Sequence, residues 1–81
     1  MGLKLPQIPA RLAIKVFESF GWRIARIKGS HHIMVKDGER ANLSIPVKDK
    51  GNTPLKPGLL RALIRDANLT LGEFLNKYNS M

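Results

Sequence analysis

The sequence predicts an α+β domain of order α-β-β-β-α. It is expected to form a three-stranded antiparallel sheet with the helices on one face, plus a short C-terminal helix. Three observations predict this. Residues 9–20 carry apolar side chains at helical spacing. Residues 22–46 hold three short strand-like runs separated by turn chemistry. Residues 58–78 return to helical spacing.

Pro9 suits a first-turn helix position, where its missing N–H costs nothing. Leu12, Val16 and Phe20 then recur every four residues, with Ala13 and Phe17 beside them. Arg11, Lys15, Glu18 and Ser19 take the other face, and Gly21 is placed to end the helix with a positive φ. Trp22–Lys28 reads as the first strand, Gly29-Ser30 as a turn, and His31–Lys36 as the second strand. Asp37-Gly38 is a hairpin signal of the type I′ kind, which needs positive φ at both central residues. Arg40–Pro46 reads as the third strand, with Ala41, Leu43 and Ile45 on one face, and Pro46 ends it because it cannot donate to a ladder.

Residues 47–56 form a basic loop, and Pro57-Gly58 lead into a second helix over 58–68, closed by Asn68-Leu69. Its apolar face is Leu59, Leu60, Leu63, Ile64 and Ala67. Thr70 with Glu73 is a capping-box pattern that starts the last helix, 71–78. Both main helices must bury an apolar stripe, so both are expected on one face of the sheet. The other face and the loops stay free for a partner. The arrangement resembles the double-stranded-RNA-binding fold.

A chain of 81 residues suits a single domain, read here as 1–81. The absence of Cys removes disulfides, thiolate zinc sites and thiol nucleophiles. No apolar run approaches the roughly 18 residues of a membrane span. Two prolines interrupt the N-terminal stretch where a signal peptide would be apolar, so a cytoplasmic protein is expected. Fourteen Lys and Arg against six Asp and Glu leave a formal charge of +8, which calls for an anionic partner.

Groups able to do chemistry are few. Glu18, Glu39 and Glu73 are far apart in sequence, and Gly51, Gly58 and Gly72 lack the context of a phosphate loop. What remains is K-G-S-H-H, residues 28–32. An imidazole titrates near neutrality, so it can take a proton from a ribose 2′-hydroxyl or give one to a leaving 5′-oxygen. Gly29 lets a phosphate approach the backbone, Ser30 offers a hydroxyl and an N–H, and Lys28 and nearby Arg residues can stabilise transition-state charge. No metal or other cofactor is needed for this chemistry. Lys28, Lys36, Arg40, Lys48, Lys50 and Lys56 fall on strand ends and loops around the cluster. Contacts from such residues to phosphate set position and not sequence. Trp22 can stack on a base, but its place just after the first helix suits the core.

The ordered set of motifs resembles the HicA-type toxins, small mRNA interferases also described as YcfA-like. The matching pieces are L-P near the start, F-G-W after the first helix, R-I-K-G-S-H-H-I, D-G-E-R, I-P-V, and L-K-P-G-L-L-R-A-L-I-R-D-A-N-L-T followed by E-F-L. They run over residues 5–75. The resemblance implies the toxin of a type II toxin–antitoxin pair. It implies a metal-independent endoribonuclease that cleaves mRNA and is neutralised by a HicB-like antitoxin. It assigns the catalytic role to His31, with Gly29 and Ser30 in support. The RNA-binding candidates are Lys28, Gly29, Ser30, His32, Lys36 and Lys48. Many members carry a second His shortly after the proline that ends strand 3, where this chain has Lys48. The Gly-Thr-Leu that usually opens helix 2 reads Gly58-Leu59-Leu60 here.

Strict alternation places His31 on the side of Ile33 and Val35, which read as core, and turns His32, Met34 and Lys36 outward. That pattern favours His32 as the exposed imidazole, whereas the resemblance favours His31. Two other functions fit the same residues: an RNA-binding module without catalysis, and a partner-binding protein whose basic face serves an acidic protein.

Overall fold

The computed structural model describes residues 5–81. Residues 1–4 of the N-terminal stretch weighed above as a leader lie outside the described residues. The first helix, α1, runs Ala10–Ser19 with Pro9 as its N-cap, so it starts one residue later than the sequence suggests. It ends in a Schellman motif. Gly21 takes φ 98°, its N–H donates to Glu18 O at 3.0 Å, and the Trp22 N–H donates to Phe17 O at 3.1 Å.

Three strands follow: β1 (Arg23–Lys28), β2 (His31–Val35) and β3 (Leu43–Pro46). They form one antiparallel sheet in the order β1-β2-β3. The β1–β2 turn has positive φ at Gly29 (59°) and not at Ser30, as in a type II′ turn. The Asp37-Gly38 turn is not type I′, since only Gly38 has positive φ (85°). Nor does β3 begin at Arg40. The Glu39 carboxylate accepts from the Asn68 amide at 2.7 and 3.1 Å. This draws the connection toward the end of the second helix, and pairing resumes at Leu43.

The faces of β2 are opposite to those strict alternation suggested. Met34 is fully buried and His32 half-buried on the helix side, while His31 is exposed and Ile33 and Val35 are only half-buried. The helices dock against Leu43 and Ile45 of β3, and register places these two opposite Met34 and His32. Packing of β3 therefore chose the core face of β2.

β1 carries a bulge at Ala25. Ile24 pairs with Met34, but the next pairs are Arg26 with Ile33, Ile27 with His32 and Lys28 with His31. The extra residue shifts the phase of alternation. Arg23, Arg26 and Lys28 therefore share the helix-free face, and Ile24 and Ile27 share the helix side.

After β3 a turn at Asp49–Gly51 has three successive positive φ values, 51°, 57° and 87°. The second helix, α2, runs Pro57–Asp66 and ends in another Schellman motif, with Asn68 at φ 60°. The third, α3, spans Leu71–Asn79 and opens with the full capping box of Thr70 and Glu73. α1 and α2 both pack on β3, and α3 packs on both helices. The core is apolar throughout: Phe17, Phe74, Leu43, Ile45, Met34 and Leu60 are fully buried. The Phe17 and Phe74 rings meet at 5.2 Å and 52°.

Candidate functional site

His31 is the first residue of β2, held there by the tight turn at Gly29-Ser30. On one side its register partner is Lys28, and on the other Pro46. Directly opposed antiparallel side chains share a face, with Cβ atoms about 4.5–5.5 Å apart. The exposed imidazole thus sits between an ammonium stem and a proline ring at one end of the helix-free face.

Gly29 and Ser30 are exposed in the turn before it. The Ser30 carbonyl is occupied by the Val47 N–H at 2.6 Å, which ties the start of the basic loop to the turn. Lys48 follows directly and is exposed at the same end of the sheet. The structure thereby brings His31, Lys28, Gly29, Ser30 and Lys48 into one neighbourhood.

Two candidates lie elsewhere. His32 points to the helix side, between Ile27 and Ile45 in register, and its buried Nδ1 has no hydrogen-bond partner. Lys36 lies just past the end of β2, five residues from His31 and roughly 17 Å away at strand rise. Its stem passes over Gly21, where a Cβ would come within 3.2 Å of Lys36 Cε. That places its cation at the C-terminal end of α1, where a positive charge is favoured. Trp22 is buried in the core.

The structure identifies two of the Arg residues near Lys28 and gives them a shared face. Arg23 and Arg26 join Lys28 in a row along the helix-free face, and Arg23 also meets Asp37 at 3.2 Å on the surface. Their signal was present in R-I-A-R-I-K, where the Arg-Ile pair repeats after three residues. A strict strand cannot put both isoleucines on one side at that spacing, so the repeat marks the bulge. No side chain that register assigns to this face is acidic. Among the described residues, no three His, Asp or Glu side chains gather as metal ligands. Among them, too, no helix is long and apolar enough to cross a membrane.

An α-β-β-β-α domain with a three-stranded antiparallel sheet is compatible with the double-stranded-RNA-binding-like class, and its open face carries cations and an imidazole. The chain belongs to the HicA toxin family of bacterial toxin–antitoxin systems, whose family model matches residues 10–69. That match spans α1, the whole sheet, the basic loop and α2. No curated protein matches the chain. Membership assigns the toxin role and implies a cognate antitoxin.

Proposed function

We propose that this toxin is a metal-independent endoribonuclease that inhibits translation by cleaving mRNA, with His31 as its catalytic residue. One observation carries the reading. His31 is exposed on the helix-free face, in register with Lys28, at the end of a row of three cations. The row would hold the RNA backbone by its phosphates, which sets position and not sequence. The imidazole would accept the 2′-hydroxyl proton as the O2′–P bond forms. The P–O5′ bond then breaks, and the imidazolium returns the proton to the leaving 5′-oxygen. Lys28 and Lys48 would offset the extra charge on the phosphoryl oxygens. The products are a 2′,3′-cyclic phosphate and a 5′-hydroxyl.

The antitoxin in this reading is HicB-like and acidic where it meets the cations, so it competes with RNA for one face. The test is cleavage of a long single-stranded RNA in EDTA, wild type beside His31→Ala, read on a gel. Loss of about 10²–10⁴-fold is expected for the variant, the usual contribution of a general acid–base. Its thermal melt should match wild type, because the side chain is exposed. Full-rate cleavage by the variant would remove His31 from the role.

A second reading, RNA binding without cleavage, draws on Lys48 standing where many relatives carry a second His. An ammonium stabilises charge but is a poor general base at neutral pH. Salt-sensitive RNA binding with no product on prolonged incubation would favour it.

A further inference from the structure

We propose that the groove between the end of β3 and the start of α2 is a nucleotide subsite. It would seat the RNA nucleotide adjoining the bond at His31, with Lys56 and Lys48 on its phosphate and the base against an apolar wall. The proposal rests on RNA being the ligand of the His31 face, and it extends that face around the edge of the sheet.

The groove encloses about 290 Å³. Pro46, Leu55 and Leu59 supply its apolar wall, and Lys48, Lys56 and Thr53 its polar groups. No carboxylate lines it. Pro46 is the joint, since it lines the groove and is also the register partner of His31. A strand of RNA lying on the cationic row therefore passes His31 and reaches the groove next.

The charge of the groove matches a phosphate. Lys56 is the N-cap of α2 and makes no side-chain cap, and the first turn of that helix holds no acidic residue. The helix terminus favours an anion, and its own side chains leave that preference unmet. Two lysines at the rim act in the same sense.

The groove is also built in advance. The Val47 N–H holds one end of the loop to Ser30. The Ala10 N–H donates to Thr53 O at 3.2 Å, and the Leu55 N–H donates to Ile8 O at 3.0 Å. Arg11 Nε donates to Asn52 Oδ1 at 3.0 Å. Gly51 packs so closely on Arg11 that a Cβ there would lie 2.8 Å from the Arg11 Cβ. The wall needs no ordering when a ligand arrives, which lowers the cost of binding. Thr53 is the one hydroxyl among the lining side chains, so base selection should be modest.

The experiment uses the full chain carrying His31→Ala, which separates binding from cleavage. A short oligoribonucleotide is titrated into the ¹⁵N-labelled protein, and affinity is measured for two further variants, Lys56→Glu and Lys77→Glu. These have the same net charge, and Lys77 lies on α3 outside the groove. Amide shifts at Leu55, Lys56 and Leu59 are expected, together with at least a tenfold greater loss of affinity for Lys56→Glu than for Lys77→Glu. Equal losses, or shifts confined to β1 and β2, would overturn the subsite. Binding of a poly-glutamate peptide in the groove with no binding of RNA there would overturn it in favour of an acidic protein partner. Retained Lys56-dependent binding with no cleavage by the wild-type protein would defeat the ribonuclease reading and leave the subsite standing.

Discussion

The two edge strands of the sheet make a useful contrast. β1 and β3 each turn two branched apolar residues toward the helix side, Ile24 and Ile27 in one and Leu43 and Ile45 in the other. Leu43 and Ile45 are fully buried, yet Ile24 is 39% exposed and Ile27 is 60% exposed. Every residue of β1 is exposed. The helices dock over β3, and β1 is held chiefly by its ladder to β2. The same kinds of residue are therefore sealed in the core at one edge and left partly open to solvent at the other. An edge strand with an exposed apolar face invites unwanted pairing. A bulge and three cations on β1 counter that tendency and also build the candidate RNA-binding face.

The contrast breaks most sharply on truncation. Ile45→Ala should cost about 2–5 kcal/mol, the range for a buried aliphatic side chain. Ile27→Ala should cost less, about 1 kcal/mol, since most of its area stays in water on folding. Urea denaturation of both variants checks this, and equal losses would show that the helices cover β1 in solution. Next in size is the glycine pair. Gly51→Ala forces a positive φ of 87° on a side chain and drives its Cβ into Arg11, so a loss on the order of 2 kcal/mol is expected. Gly29→Ala meets no neighbour, so only the backbone cost of about 1 kcal/mol should appear in its thermal melt.

Smaller effects concern charge. Replacing Arg26 and Lys28 by Gln should lower the slope of log affinity against log salt for single-stranded RNA by about 0.7 per residue, while stability stays near wild type. The smallest effect sharpens the account of the bulge. Deleting Ala25 restores a regular register and still leaves Arg23, Arg26 and Lys28 on one face. The salt slope should then be unchanged, and a lowered slope would mean that the bulge aims the cations as well as setting their phase.

Of the candidate site, the K-G-S-H-H cluster and Lys48 were legible in the sequence because they lie next to turn and strand-end signals. The side of the sheet that each residue occupies was not. His32, Met34 and Lys36 alternate with His31, Ile33 and Val35, and both sets contain apolar and polar members. Alternation fixes which residues share a face and leaves open which face is inward. The shared face of Arg23 and Arg26 escaped for a related reason, since a one-residue bulge changes the face of everything after it. The groove escaped because its walls come from β3, the loop and α2.

Element identity and order, and most helix caps, followed from short-range chemistry, whereas the start of β3 did not. Pro9, Gly21, Gly29, Asn68 and the Thr70–Glu73 box act on the backbone within a few residues, so they can be read along the chain. The family was legible in the same way, from ordered motifs. The core face of β2, the shared direction of the three β1 cations and the groove beside His31 arose from long-range packing. The helices pack on β3, where Leu43 and Ile45 are fully buried, and antiparallel register carries that choice across to β2 and β1. His31 faces outward because β3, and not its own strand, decided where the core would be.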